Sequence, residues 1–238
     1  PPGTPRWIKR TRVRGHERIV TYVLVESAAT LVYLVSLFMV TVHVWQSTTE
    51  DIERPDFLLV DLDPPDRCTL AQLARSALLV RDFLQEAGIA GPLVKSSGAR
   101  GLHVVAYIEP QYDYKTVRAV SQSLATQLAR RYPEQFTVER DPRKRPAGTV
   151  YIDWGQVGRG MSIVPPFSPR ACEGAPVSMP MEWAEIERCA RSRSMRAPIE
   201  YFKRYNVRTA VDLLKAGGDP WQKPQRASLA PLKNVHAR

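Results

Sequence analysis

The stretch "RPDFLLVDLDPPDRC", residues 54–68, ends an apolar, β-rich run with two carboxylates one residue apart and then two prolines. Side chains of a strand alternate between faces, so Asp61 and Asp63 point the same way while Leu62 turns into the core. Two like charges this close are costly unless water, Arg or Lys, or a divalent cation neutralises them, and Mg²⁺ suits one or two carboxylates combined with phosphate oxygens. The competing reading is a solvated turn, since Asp-Pro is ordinary turn chemistry.

Outward from this run the chain alternates strand and helix. "TLAQLARSALLVRDFLQEAG" carries Leu70, Leu73, Ala77, Val80 and Leu84 at helical spacing, with a Thr69/Gln72 capping box at its start and Gly88 as a left-handed cap at its end. "GPLVKSS" and "GLHVVAYIE" predict a hairpin. "YKTVRAVSQSLATQLARRY" aligns Val117, Val120, Leu124 and Leu128 along one helical stripe that Pro133 ends. Two more strands, "QFTVER" and "TVYIDW", flank the basic loop "DPRKRPAG". The fold class is therefore α/β, in the α+β sense, with mixed β-sheets flanked by helices. After Pro165 a Pro/Gly/Ser-rich ordered connection leads to short helices around "EWAEIERCARS" and "VRTAVDLLKAGG". The polar, basic stretch 223–238 is expected to be a mobile tail beyond a catalytic domain spanning 1–222.

Composition narrows the class of partner. The 238 residues carry 34 Lys+Arg against 24 Asp+Glu, a formal charge of +10, which favours a polyanion, nucleic acid above all. Cys68, Cys172 and Cys189 are odd in number and far apart, which signals neither a disulfide framework nor zinc and fits a reducing, cytoplasmic compartment. From Ser27 to Val42 there is no charge, but Ser27, Thr30, Ser36, Thr41 and His43 dilute the run. We read it as a buried helix, "ATLVYLVSLFM", followed by a strand, "VTVHVW", and expect no membrane span.

Two further motifs converge on the acidic pair. "TVYIDWGQ" is a second apolar strand ending in an acid, and Asp153 lies beside Asp61 and Asp63 if the strands are neighbours, giving the three carboxylates of a two-metal centre. "KSSGARGLHV" has Ser96, Ser97, Gly98 and Gly101 for close backbone approach to a phosphate, and Arg100 for fixed positive charge. Taken singly, a Gly-Ser hairpin and a solvent-facing strand-end acid account for each motif; taken together they supply a cation site and its substrate.

"RPDFLLVDLDP", "KSSGARGLHVV", "GTVYIDWGQ", "APVSMPMEW" and "GGDPW", in this order, resemble the polymerase domain of bacterial ATP-dependent DNA ligase D, within the archaeo-eukaryotic primase superfamily. The resemblance runs from about Pro1 to Trp221. It implies a primase-like catalytic fold and template-directed nucleotidyl transfer onto primers or broken DNA ends in non-homologous end joining, with a preference for ribonucleotides. It implies two Mg²⁺ or Mn²⁺ ions on Asp61, Asp63 and Asp153, triphosphate contacts from Ser97, Arg100 and His103, and His43, Gln156 and Arg170 near the nucleotide. The implied partners are DNA, nucleoside triphosphates, Ku and a DNA ligase. Two positions depart from the pattern. The family usually has Lys where Arg100 stands, exchanging a point charge for a planar fork. Pro146 stands where the family tends to be basic, with Arg143, Lys144 and Arg145 as neighbouring substitutes. Family members also carry residues ahead of "PPGTPRWIKR", part of them associated with the recessed 5′-phosphate of a broken end.

Two other classes are open to the same residues. A haloacid dehalogenase-like phosphatase shares the acid-x-acid strand but expects Thr or Val shortly after the second acid, where this chain has Pro64 and Pro65. A catalytically silent nucleic-acid-binding module would keep fold and charge without turnover.

Overall fold

The computed structural model describes residues 3–15, 17–222, 226, 227 and 229. The chain divides into two compact units, Pro1–Val42 and His43–Arg238. In the first, β1 (Arg10–Arg14) and β2 (Ile19–Val23) form an antiparallel hairpin, followed by helix α1 (Ala28–Ser36). Ser27 caps α1, its hydroxyl accepting from Thr30 N at 3.3 Å. The expected buried helix is not what forms: within α1 only Thr30 is buried, while Val32 and Val35 are exposed and Phe38, just past its end, is 93% exposed with a left-handed φ of 62°. Apolar composition without helical periodicity gave no signal of which face, if any, is covered. The strand expected over "VTVHVW" shrinks to β3 (Val44–Trp45) in the second unit, because its antiparallel partner β9 (Ser162–Ile163) offers only two residues.

The second unit is built on a mixed six-stranded sheet. Its strands are β4 (Phe57–Asp63), β5 (Leu93–Ser96), β6 (Leu102–Tyr107), β7 (Phe136–Thr137), β8 (Val150–Ile152) and β10 (Pro180–Met181), in the order β10-β5-β6-β4-β8-β7. β4 lies between β6 and β8, antiparallel to both, and β7 pairs parallel with β8. Helices α2 (Leu70–Glu86) and α3 (Tyr114–Arg131) pack on this sheet. Leu62 turns into the core as expected, with no exposure at all, alongside Leu58 and Val60, but Leu59 on the opposite face is buried too, so burial alternates only at the acidic end of β4.

Thr69 caps α2, its Oγ1 accepting from Gln72 N at 3.2 Å, but the box is only half made because the Gln72 side chain donates to Gly148 O instead. Gly88 has the left-handed φ of 83° that its position predicts. Helices α4 (Trp183–Arg191) and α6 (Thr209–Gly217) fall where two short helices were expected, and α5 (Pro198–Phe202) adds a third. The expected mobile tail lies outside the described residues except at Arg226, Ala227 and Leu229. There Ala227 N donates to Tyr107 O at 2.8 Å and Glu109 N donates to Ala227 O at 3.1 Å, a parallel bridge beside β6. Among the described residues no helix is long and apolar enough to cross a membrane.

Candidate active site

The face of β4 opposite Leu58, Val60 and Leu62 presents Leu59, Asp61 and Asp63 to a cleft of about 280 Å³. β8 pairs with the end of β4, and Asp153 N donates to Asp61 O at 3.0 Å, which draws the third acid alongside the first two. A carboxylate oxygen from each of Asp61, Asp63 and Asp153 lies within 4.8 Å of the others. Burial and the neighbouring carboxylates push Asp61 well above the usual carboxylate range, and the same causes raise Asp63. Three hard oxygen donors that repel one another in this way fit a divalent cation, whose charge would remove the repulsion.

Asp153 is held from several directions. Its Oδ1 accepts from Gly155 N at 2.9 Å and its Oδ2 from Gln156 Nε2 at 2.9 Å, while Tyr151 OH reaches Oδ1 at 3.4 Å. The 3₁₀ turn Trp154–Gln156 that follows is braced by Arg118, which donates to Gly155 O and Val157 O from α3. Of the three basic residues beside Pro146, Arg145 is the one near the acids. Its guanidinium stacks 3.7 Å from the Tyr151 ring centroid, and its charge opposes the rise at Asp63. Arg143 is committed to Asp141.

The β5–β6 loop forms one wall. Ser97 Oγ accepts from Ala99 N at 3.2 Å and Gly101 N at 3.1 Å, folding the loop onto itself. Gly98 is left-handed at φ 74°, and Gly101 passes so close to β4 that a Cβ would sit 2.6 Å from Leu62 O. Arg100 faces solvent and pairs with Asp66 at 2.7 Å.

His103, Arg170, His43 and Gln156 complete the lining. His103 Nε2 stands 3.4 Å from Asp61 Oδ1. Burial, then the Lys95 and Arg170 charges, hold His103 well below the ordinary histidine value. His43 is exposed at the rim and lowered by partial burial and Arg170. Of the residues singled out in the sequence, His43, Asp61, Asp63, Ser97, Arg100, His103, Gln156 and Arg170 line one cleft, and Asp153 joins them through the approach of its carboxylate to Asp61 and Asp63. Lys95 was missed. It is 1% exposed, bonded to His103 and Ser178, and drawn down to about 7 chiefly by burial. Its place at the head of "KSSGARGLHV" was the available signal, because alternation puts it on the face of a strand whose neighbour carries His103.

The LigD primase-polymerase domain model matches residues 1–221. The multifunctional non-homologous end joining protein LigD of Pseudomonas aeruginosa is 30% identical over 199 residues, covering 83% of this chain and 22% of that protein. The bifunctional non-homologous end joining protein LigD of Bacillus subtilis is 28% identical over 222 residues, 93% of this chain and 34% of that protein. The chain therefore spans between about a fifth and a third of the length of these relatives. The polymerase domain of Mycobacterium tuberculosis ligase D, solved in complex with DNA, superposes with a TM-score of 0.76 at 25% identity, over 92% of this chain and 75% of that one. With a family match over nearly its whole length and a mixed α/β fold shared with a solved member, the chain belongs to the LigD primase-polymerase domain family of DNA-directed nucleotidyltransferases.

Proposed function

We propose that this domain extends primers or broken DNA ends by template-directed nucleotidyl transfer, with a preference for ribonucleotides, and that Asp61, Asp63 and Asp153 hold two Mg²⁺ or Mn²⁺ ions. The observation that carries the reading is the meeting of these three carboxylates, two of which line a cleft that Ser97 and Arg100 also line. When bound, divalent cations supply the positive charge that phosphoryl chemistry needs. The residues of the chain do the positioning. Ser97, Arg100 and His103 bind the triphosphate, and Gln156 and Tyr151 keep Asp153 turned toward its two partners. Arg170 and His43 orient the nucleotide from the opposite rim. The primer 3′-hydroxyl then displaces pyrophosphate from the α-phosphate.

DNA as the template partner is supported by the basic balance of the chain and by the DNA complex of the solved relative. Ku, a ligase and a cytoplasmic setting belong to the same proposal. A gapped primer-template supplied with Mn²⁺ and each nucleotide type tests it. The wild-type chain extends the primer and favours ribonucleotides, while Asp61→Ala and Asp63→Ala abolish extension but keep DNA binding, because cation charge serves chemistry and phosphate contacts serve docking. Binding without extension by the wild type would leave a silent module, and release of inorganic phosphate would return the phosphatase reading.

A further inference from the structure

A second hollow, of about 350 Å³, opens between the start of α2, the end of α4 and α5, along the segment 192–197 that joins the last two. It shares no lining residue with the catalytic cleft. Arg188, Arg196, Ser192 and Ser194 supply most of its polar lining, and no acid lines it. The sequence here, "RCARSRSMR" (188–196), holds four arginines in nine residues. A helix C-terminus favours basic residues, which accounts for Arg188 and Arg191 in the last turn of α4 but not for Arg193 and Arg196 beyond it.

What the hollow can hold follows from which polar groups are already taken. Both acids within α4 are committed. Glu187 pairs with Arg81 at 3.0 Å, while Glu185 accepts from Tyr201 OH at 2.6 Å and from Tyr205 OH and faces Arg204 at 3.4 Å. Tyr201, on the wall, is thereby occupied, since its hydroxyl also accepts from Arg204 Nη1 at 2.8 Å. Cys189 O accepts from Ser192 N at 3.1 Å. Ser192 Oγ accepts from Ser194 N at 3.1 Å and Ser194 Oγ from Arg196 N at 3.2 Å, so each hydroxyl has a lone pair filled and keeps its proton to give. Among the described residues no acid pairs with any of the four arginines. The groups left to meet a ligand are donors, two guanidinium forks and two hydroxyls. Their complement is an anion rich in acceptors, and a phosphate matches the planar fork in geometry.

A single small anion would leave Arg191 and Arg193, exposed on the same segment, unmatched, whereas a chain of phosphates at regular intervals matches the run. The location agrees. Asp66, which pairs with Arg100 at the cleft, stands four residues before Leu70, which lines the hollow, so their Cα atoms are at most about 14 Å apart. A duplex advances about 3.4 Å per base pair and covers that distance in about four.

We propose that this hollow is a second nucleic-acid site, in which Arg188 and Arg196 clamp a backbone phosphate a few base pairs from the catalytic cleft and Ser192 and Ser194 donate to its oxygens. The site rests on the nucleic-acid partner of the reading above and not on its chemistry.

Fluorescence anisotropy of the full chain with a labelled gapped duplex, over a series of salt concentrations, tests the site. Arg188→Gln with Arg196→Gln should weaken binding about tenfold and make the log-log salt slope shallower by about 0.9, the share of one phosphate. Ser192→Ala with Ser194→Ala changes no charge and should weaken binding severalfold at an unchanged slope. Lys115→Gln with Arg130→Gln, which removes two charges from exposed positions of α3, should do neither. KM for nucleotide at saturating primer-template should hold in every variant, and inorganic phosphate should displace the duplex no more than chloride of equal ionic strength. Should the serine pair lose its cooperative melt, the arginine pair decides alone. Arginine variants that bind as tightly as the wild type, or an α3 pair that loses as much, overturn the site and leave the DNA reading standing. A raised nucleotide KM with duplex affinity intact would give the hollow to the nucleotide and also overturn it. So would a labelled polyglutamate peptide that the wild type binds and the arginine variants lose while they keep the duplex, since the partner would then be an acidic protein. A wild type that binds no duplex sinks the nucleic-acid partner itself.

Discussion

At the scale of single residues, Asp61 sets function against stability. Its carboxyl is raised by burial and by Asp63 and Asp153, so between the ordinary carboxylate value and that raised value the folded chain holds a proton the unfolded chain does not. Stability contributed by this group is therefore greatest at low pH and falls as pH rises through the window. Asp61→Asn should raise the unfolding midpoint of the cation-free protein at pH 7.5, by about 2–4 °C for each kcal/mol of repulsion relieved, and the gain should shrink near pH 4. Added Mn²⁺ should stabilise the wild type and leave the variant unmoved; thermal melts with and without the ion read both effects. Arg100 supports a separate prediction. Charge-assisted phosphate contacts contribute roughly 1.5–3 kcal/mol, so Arg100→Ala should lower kcat/KM for nucleotide about ten- to a hundredfold with little change in primer-template affinity. Arg100→Lys should recover part, keeping charge without the fork. If titration showed weakened DNA binding and unchanged nucleotide kinetics, the β5–β6 loop would be a DNA contact instead.

At the scale of elements, what the sequence disclosed depended on periodicity. β4, α2 and α3 were legible because alternation and the i, i+3, i+4 spacing each exclude the other, and Thr69, Gly88 and Pro133 mark the ends. The convergence of Asp61, Asp63 and Asp153 was legible only as a condition on strand order, which the pairing of β4 with β8 meets. The surroundings of Lys95 were not legible, because Ser178 enters from a Pro-rich connection with no repeating pattern. α1 was misjudged for a related reason: its residues are apolar on every side, so composition implied burial that the structure does not provide. The loop that passes over β4 gives a prediction at this scale. A Cβ on Gly101 would meet a backbone carbonyl, which cannot swing aside as a flexible side chain can. Gly101→Ala should cost roughly 1–3 kcal/mol of stability, measured by urea unfolding, and should displace Ser97 from the wall of the cleft. An unchanged urea midpoint would mean the loop stands off β4 in solution.

For the whole molecule, charge governs encounter. With a formal charge of +10, DNA affinity should fall linearly on a log-log plot against salt, with a slope of about −0.9 for each phosphate neutralised. A flat dependence, measured by fluorescence anisotropy, would argue against a nucleic-acid partner. The placement of the acids on β4 and β8 has a consequence in time. Between these strands the chain makes α2, the β5–β6 hairpin, α3 and β7. Local helices form quickly, whereas pairings distant along the chain wait for the intervening segments to close. During refolding, helical circular dichroism should therefore return before any Mn²⁺-binding signal. An ion that recognises only the finished cluster should leave the folding rate alone and slow unfolding, so the last part of this domain to be built would also govern how long it lasts.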